Sequence, residues 1–499
     1  MLTRPRSLAL LMSASLLAAS LLTGCAVGPD YSSPEPALSP RFLGQEGVEE
    51  RDVQHNANLQ AWWAAFDDPM LARFVTLALE QNLDIEQATA RVAQARASLR
   101  QADAALLPSG NVSAQGAEVY QSVETPLGQV LSTTPGFDRR GTAYEANLNM
   151  GWEIDAFGGL RRGREAARAE YVASEAGAVA TRLAVAAQTA DVYVMIRGLQ
   201  TRINIAGQQA DTRRELLDTI RFQYERGVAA ELQVNQAEGA LAQVEAQIPA
   251  LEAGLDSAMN ALDVLLGVPP GTYRSEVSQV ASIPVVPGLA ETGTPAEMIR
   301  RRPDLIVAEQ RLVAANARIG MAISEYYPKF SLGALLGSAT TISSGNLFSS
   351  DAREAQGVLG LRWRLFDFGR VEAQIAAARG QEAEALAAYR LAVLRATEEV
   401  ENAFSALVKR EAQVDILARG ESSLARAREN SLAAYESGVV SLIEVLNADA
   451  NLLQISDMKA QAQTETARAA IASFRALGGG WEAPLASNDR LYGALSTTH

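Results

Sequence analysis

Tyr224-Glu225-Arg226-Gly227-Val228 recurs 211 residues later as Tyr435-Glu436-Ser437-Gly438-Val439, each time inside a long Ala-rich helical pattern. The alignment extends from YERGVAAELQVNQA (224–237) to YESGVVSLIEVLNA (435–448), sharing Tyr, Glu, Gly, two Val and Ala. Upstream of each copy stands a tryptophan strand that ends in Phe-Gly: Trp152…Phe157-Gly158 and Trp363…Phe368-Gly369, again 211 apart. Further upstream, Asp84, Ala88, Arg91, Ala95, Ala97, Ala102 and Pro108 match Asp304, Ala308, Arg311, Ala315, Ala317, Ala322 and Pro328, now 220 apart. The first copy therefore carries nine extra residues between its proline and its tryptophan. A chain that runs twice through helix, strand pair and long helical hairpin has its architecture set by the repeat.

The strands announce themselves by period two. From Ala143 to Ile154, Tyr144, Ala146, Leu148, Met150, Trp152 and Ile154 alternate with Glu145, Asn147, Asn149, Gly151 and Glu153. Leu359, Leu361, Trp363 and Leu365 alternate with Gly360, Arg362 and Arg364, and Phe330, Leu332, Ala334 and Leu336 alternate less cleanly. The fourth strand, near Asn111 to Gln121, is the weakest. Such alternation suits a half-buried soluble sheet or a membrane barrel, and Trp at strand ends suits an interfacial aromatic girdle. Four strands cannot close a barrel, and open edges are not tolerated in hydrocarbon. Strands that span a membrane here require an oligomer sharing one barrel.

A helix is expected over 72–105, and no proline interrupts 136–248 or 329–482. From Phe157 to Gly227 a continuous helix of about 70 residues would extend about 105 Å. Asp155 and Asp367 stand where caps are needed, Asp67 or Asp68 precedes Pro69 at the first helix, and Gly227 and Gly438 permit turns. Return helices then run towards Gly267 and Gly478. The Trp62-Trp63 pair reads as packing against a neighbouring helix.

The 499 residues carry a formal charge of -14, which argues against a nucleic-acid partner. The two histidines, His55 and His499, sit in a linker and at the terminus, so His-based catalysis is not expected. No zinc-ligand cluster or phosphate-cradling loop occurs, the paired acids Asp67-Asp68 and Glu398-Glu399 read as a cap and a solvated helix face, and neither enzyme activity nor a cofactor is implied. At the N-terminus, Arg4 and Arg6 precede an apolar stretch from Leu8 to Leu22, which ends in Leu22-Thr23-Gly24-Cys25 around the only cysteine. That is a signal peptide over 1–24, with small residues at the cleavage site. The Leu-Thr-Gly-Cys element resembles the bacterial lipobox, which implies lipid attachment at Cys25 and a mature formal charge of -16 once Arg4 and Arg6 are removed. Residues 25–60 are expected to be a Pro-containing linker, 61–283 and 284–480 the two repeats, and 481–499 a C-terminal tail.

GPDY after the cysteine, WWAAFDDPML (62–71), NLDIEQATARVAQARA (82–97), RRPDLIVAEQRLVAANARIGMAISEYYPKFSL (301–332) and LFDFGR (365–370) resemble the NodT/OprM lipoprotein branch of the TolC-like outer-membrane efflux family. The resemblance covers essentially the whole chain. It implies an α+β membrane protein: a homotrimer sharing a twelve-stranded barrel, four strands per chain, continued by a periplasmic α-helical barrel. It further implies docking onto a periplasmic membrane-fusion adaptor and an inner-membrane RND transporter, in the outer membrane and its lipid. Motif matching places a periplasmic gate at Tyr435, Glu444, Asn447 and Asp449, and adaptor contacts at the tips Arg226, Gly227, Ser437 and Gly438. Three copies of Glu444 near a threefold axis would form a negative ring; the plainer reading is a solvated helix face. Val440 stands where some relatives carry a gate-linking Arg, so other residues are expected to latch the gate. A protein-secretion duct is the competing reading within this class. A coiled-coil adaptor fits the strands poorly, and a cell-wall enzyme lacks catalytic residues.

Overall fold

Period-two alternation folds into one antiparallel sheet, and the proline-free runs fold into two helices of 67 residues each. This computed structural model describes residues 26–35, 38–51, 56–289 and 293–481. In chain order the principal elements are α1 (Pro69–Gln81), α2 (Leu83–Ala104), β1 (Ser109–Tyr120), β2 (Arg140–Ile154), α3 (Gly159–Glu225), α4 (Glu231–Glu245) and α5 (Ile248–Leu265). The second half continues with α6 (Pro303–Ser324), β3 (Lys329–Thr340), β4 (Arg353–Arg362), α7 (Arg370–Glu436) and α8 (Leu442–Ala476). Two compact units result, one from 1–34, 93–173 and 308–389, the other from 35–92, 174–307 and 390–499. Each unit draws on both halves, so the repeats are repeats of element order and not separate bodies.

The first unit holds the sheet, in the order β1-β2-β3-β4. Leu148 lies opposite Val112 and Leu336, and Leu332 lies opposite Trp152 and Leu359. These residues form one apolar face that is exposed throughout, from 36% at Trp152 to 78% at Val112. The other face is polar, with Asn149 Nδ2 donating to Ser113 Oγ at 3.0 Å. A sheet that turns Leu, Val and Trp outward is built to meet hydrocarbon or protein, not water. The indole N–H groups of Trp152 and Trp363 donate to Leu106 O and Tyr326 O at 2.9 and 3.0 Å, satisfying carbonyls just beyond α2 and α6. All three alternating patterns lie in strands, except that β4 stops at Arg362, before Trp363 and Leu365. Asp155 caps α3 through Leu160 N and Arg161 N (3.0 and 2.9 Å), and Asp367 caps the start of α7 through Gly369 N and Val371 N (3.1 and 2.9 Å).

In the second unit the expected helix over 72–105 is broken at Asn82, whose ψ of 130° leaves the helical region. The Asn82 side chain accepts from Asp84 N and Ile85 N at 2.8 and 3.2 Å and donates to Leu265 O at 2.8 Å. An Asx cap thus starts a new helix where periodicity alone reads one. Asp68 is the cap of α1, with Met70 N and Leu71 N at 2.9 and 3.0 Å. Trp62 is 1% exposed and stacks on Phe474 at 5.4 Å, with Phe66 edge-on, so the Trp pair packs as expected. The first return helix is interrupted between Glu245 and Ile248: Pro249 has no N–H to donate to Glu245 O and its ring crowds that carbonyl. The equivalent position in the second half is Ala460, and α8 runs unbroken for 35 residues. An apolar window in α3 is long enough to cross a membrane, but half of it is buried inside the chain, as in a core helix.

Candidate functional site

Both hairpin tips close in the same way. Gly227 and Gly438 have φ of +72° and +73°, which only glycine adopts freely. Gly227 N and Val228 N donate to Tyr224 O and Gln223 O, and Gly438 N and Val439 N donate to Tyr435 O and Ala434 O, all at 2.9 Å. These are Schellman closures, which reverse the chain while pairing two of the carbonyls left free at each helix end. Val228 and Val439 project beyond each turn, 78% and 76% exposed. The tips differ beside the glycine: the Arg226 guanidinium lies 4.4 Å from the Phe222 ring centroid, whereas Ser437 Oγ donates back to Ala433 O at 2.8 Å.

The four proposed gate residues do not share one face. Glu444 and Asn447, three apart on α8, are both exposed. The Glu444 carboxylate makes no ion pair or hydrogen bond among the described residues, although Ser441 stands three positions before it as in a capping box. Its counterpart Gln233 instead accepts from Ala230 N at 3.0 Å. Asp449 is fully buried on the opposite side of α8. Its Oδ1 accepts from Arg428 Nε of α7 at 3.0 Å, while its Oδ2 is buried without a hydrogen-bond partner. The carboxylate also acts on Arg213 of α3, which is itself buried, donates to Ala240 O at 2.5 Å, and is pushed down by burial against the pull of Asp449. Tyr435 packs with Leu217, Ile220 and Leu442 between the two hairpins, its hydroxyl 3.4 Å from Gln223 Oε1, and burial pushes the phenol up.

Arg428 and Arg213 were not among the expected site residues. The signal for Arg428 is hairpin spacing: it lies ten residues before Gly438 and Asp449 lies eleven after, so an antiparallel hairpin brings opposite charges level. The corresponding residues of the first hairpin are Leu217 and Glu238, where Glu238 makes only an exposed pair with Arg221. Arg302 of the Arg-Arg-Pro-Asp block was likewise given no role. It is buried, donates to Ala476 O at the end of α8 at 3.0 Å, and pairs with Asp304 and Glu399, both at 2.8 Å. Glu399 is therefore a pinning partner and not merely a solvated face residue.

Cys25 lies outside the described residues, but the chain just after it does not hang free. Val27 N donates to Phe157 O at 3.1 Å, and the Val27 and Asp30 oxygens accept from Arg162, a buried side chain of α3. Gly28, with φ +102°, crosses Gly320 so closely that a Cβ would come 2.5 Å from its Cα. Tyr31 and Ser33 both donate to Glu309, at 3.1 and 2.8 Å. The expected linker is thus a strap in its first residues, because GPDY supplies the glycine, the acid and the phenol that bind it down.

Barrel-type strands with an apolar outer face, continued in sequence by paired long helices with tight chain-reversing tips, define a subunit of an outer-membrane channel. The outer membrane efflux protein family matches residues 74–268 and 294–479, and the chain belongs to that family. Among its relatives, the pyoverdine export outer membrane protein OpmQ of Pseudomonas putida is 30% identical over 484 residues, 96% of this chain and 99% of the relative. Nodulation protein T of Rhizobium leguminosarum bv. viciae is 29% identical, covering 94% of each chain. The solved outer-membrane channel OprN superposes with a TM-score of 0.83 at 30% identity, covering 92% of this chain and 100% of that one.

Proposed function

We propose that the chain is one third of a passive exit duct, lipid-anchored through Cys25, that carries small molecules from a periplasmic adaptor and an inner-membrane RND pump to the cell exterior. The observation that carries this reading is the sheet: four strands with an exposed apolar face and two unpaired edges, complete only when copies share a barrel. Three copies make twelve strands. Relatives named for pyoverdine export and cation efflux support small-molecule cargo. The strap ties Val27, two residues after Cys25 in sequence, to Phe157 at the strand-to-helix boundary, a fitting level for an acyl chain entering the inner leaflet. Exposed Glu444 and Asn447 line the narrow periplasmic end, Asp449 with Arg428 latches the second hairpin behind them, and the tips at Arg226, Gly227, Ser437 and Gly438 meet the adaptor. The test is the purified full-length protein in detergent and in planar bilayers. A trimer mass with discrete, voltage-stable conductance steps is the expected result; a monomer without conductance overturns the reading.

A further inference from the structure

The duplication predicts more than two similar halves, because it maps one seam of the molecule onto another. The two strand hairpins have identical registers under the repeat offsets: Ser109 opposite Gly151 becomes Lys329 opposite Arg362 when moved by 220 and 211. Between the halves, β2 meets β3 with Trp152 opposite Leu332 and Met150 opposite Ala334. Next to that seam the Phe157 ring stacks on Tyr327 at 4.5 Å, and Ala166 and Ala169 of α3 pack on Ala314 and Ala317 of α6.

The same offsets carry this seam to residues at the two free edges. Trp152–Leu332 becomes Trp363 with Val112, Met150–Ala334 becomes Leu361 with Ala114, and Phe157–Tyr327 becomes Phe368 with Leu107. The alanine cluster becomes Ala377 and Gly380 with Gln94 and Ala97. Within one chain these partners stand at opposite edges of the sheet and cannot meet. Their exposure records the vacancy: Leu107 is 64% exposed, Leu361 63%, Val112 78% and Phe368 101%. The alanines of the filled seam are at most 5% exposed, whereas Ala377, Gly380, Gln94 and Ala97 are all exposed. Phe368 is also held at φ +54°, an unfavourable backbone for a phenylalanine that has nothing to pack on in its own chain. The tips repeat the asymmetry, with Tyr435 packed between hairpins and its counterpart Tyr224 46% exposed.

We infer that a second copy fills this seam in one register: Leu361 pairs with Ala114 of the partner subunit and Trp363 with Val112 of the partner subunit. Phe368 then packs on Leu107 of the partner subunit, in the way Phe157 packs on Tyr327. The inference rests on the oligomer proposed above and adds its register and contacts. The test is the full-length chain carrying Ala114→Cys with Leu361→Cys, oxidised in membranes and run without reductant. Linked dimers and trimers that collapse on reduction are expected, with the wild-type chain as baseline. A two-residue slip moves the facing Cα by about 6.8 Å along the strand, which added to the roughly 5 Å between strands gives a diagonal beyond disulfide reach. Val112→Cys or Gly116→Cys combined with Leu361→Cys should therefore stay unlinked. Leu107→Cys with Phe368→Cys should link at a second point outside the strands. Preferential linking of a slipped pair, or a trimer mass with none of these pairs linked, overturns the register; a monomer mass with no linking overturns the oligomer itself.

Discussion

Asp449 and Glu444 show how two residues five positions apart on one helix divide between holding and facing. Glu444 is exposed and unpaired, so its charge is available to a lumen; its effect must then be electrostatic and open to screening. Glu444→Gln should reduce the preference for cations over anions and weaken divalent-cation block of single-channel current at low salt. The difference should largely vanish at 1 M salt, where the screening length is about 3 Å. Unchanged selectivity at low salt would remove Glu444 from the constriction. Asp449 offers no such surface, being fully buried against Arg428 and within the influence of Arg213. Removing one partner of a buried pair leaves the others uncompensated, so Asp449→Ala should cost about 3 kcal/mol. It should also loosen the second hairpin, seen as a lowered thermal midpoint together with longer open times in bilayers. A stability loss with unaltered gating would make Asp449 structural only.

At the scale of elements, one matched position separates an interrupted return helix from a continuous one. Pro249 interrupts the first, and Ala460 lets the second run through. Ala460→Pro should cost about 3 kcal/mol or more and leave little assembled trimer on a non-denaturing gel, although proline is native at the matching place. The α7–α8 contact also carries a pH dependence. Burial pushes the Glu421 carboxyl up, but hydrogen bonds from Lys459 (2.6 Å) and Ser456 (2.8 Å) outweigh it and leave the group below its ordinary 4.5. A depressed acid stabilises the fold fully above its unfolded value, and that contribution is lost as pH falls through the folded one. Melting between pH 6 and 3 should therefore show a loss below about 4.5, of which Glu421→Gln removes the Glu421 share. Strands, long helices, turns and caps were legible because alternation, proline-free length and Gly or Asp at boundaries are local signals. The break at Asn82 was not, because an Asx cap inside a helical pattern leaves the periodicity intact. The side of α8 that Asp449 occupies was also hidden, since Ala- and Gln-rich helices lack the apolar stripe that fixes which side faces inward. The strap of 26–33 read as a linker because its anchors, Arg162 and Glu309, lie far away in sequence.

For the whole molecule, duplication gives an assembly of three chains six hairpin tips of two kinds in alternation. Each kind ends in the same Schellman turn and an exposed valine, so backbone presentation is shared and the side chains differ. Arg226 covers Phe222 at the first tip, while the second ends in the small Ser437. On the proposed docking at the tips, the shared turn offers an adaptor the same backbone at both kinds of tip, and the unlike neighbours would decide which tip grips more firmly. Val228→Asp and Val439→Asp each place a charge on an apolar contact without touching the buried tip cluster of Leu217, Ile220, Ala237 and Leu442. The double variant should weaken adaptor binding at least about tenfold, or about 1.4 kcal/mol, with bilayer conductance and trimer mass preserved. Cells carrying it should lose export while keeping normal levels of the channel in the outer membrane. Unequal losses from the two single variants would identify the dominant tip. Full adaptor affinity in the double variant would move the docking surface away from the turns altogether.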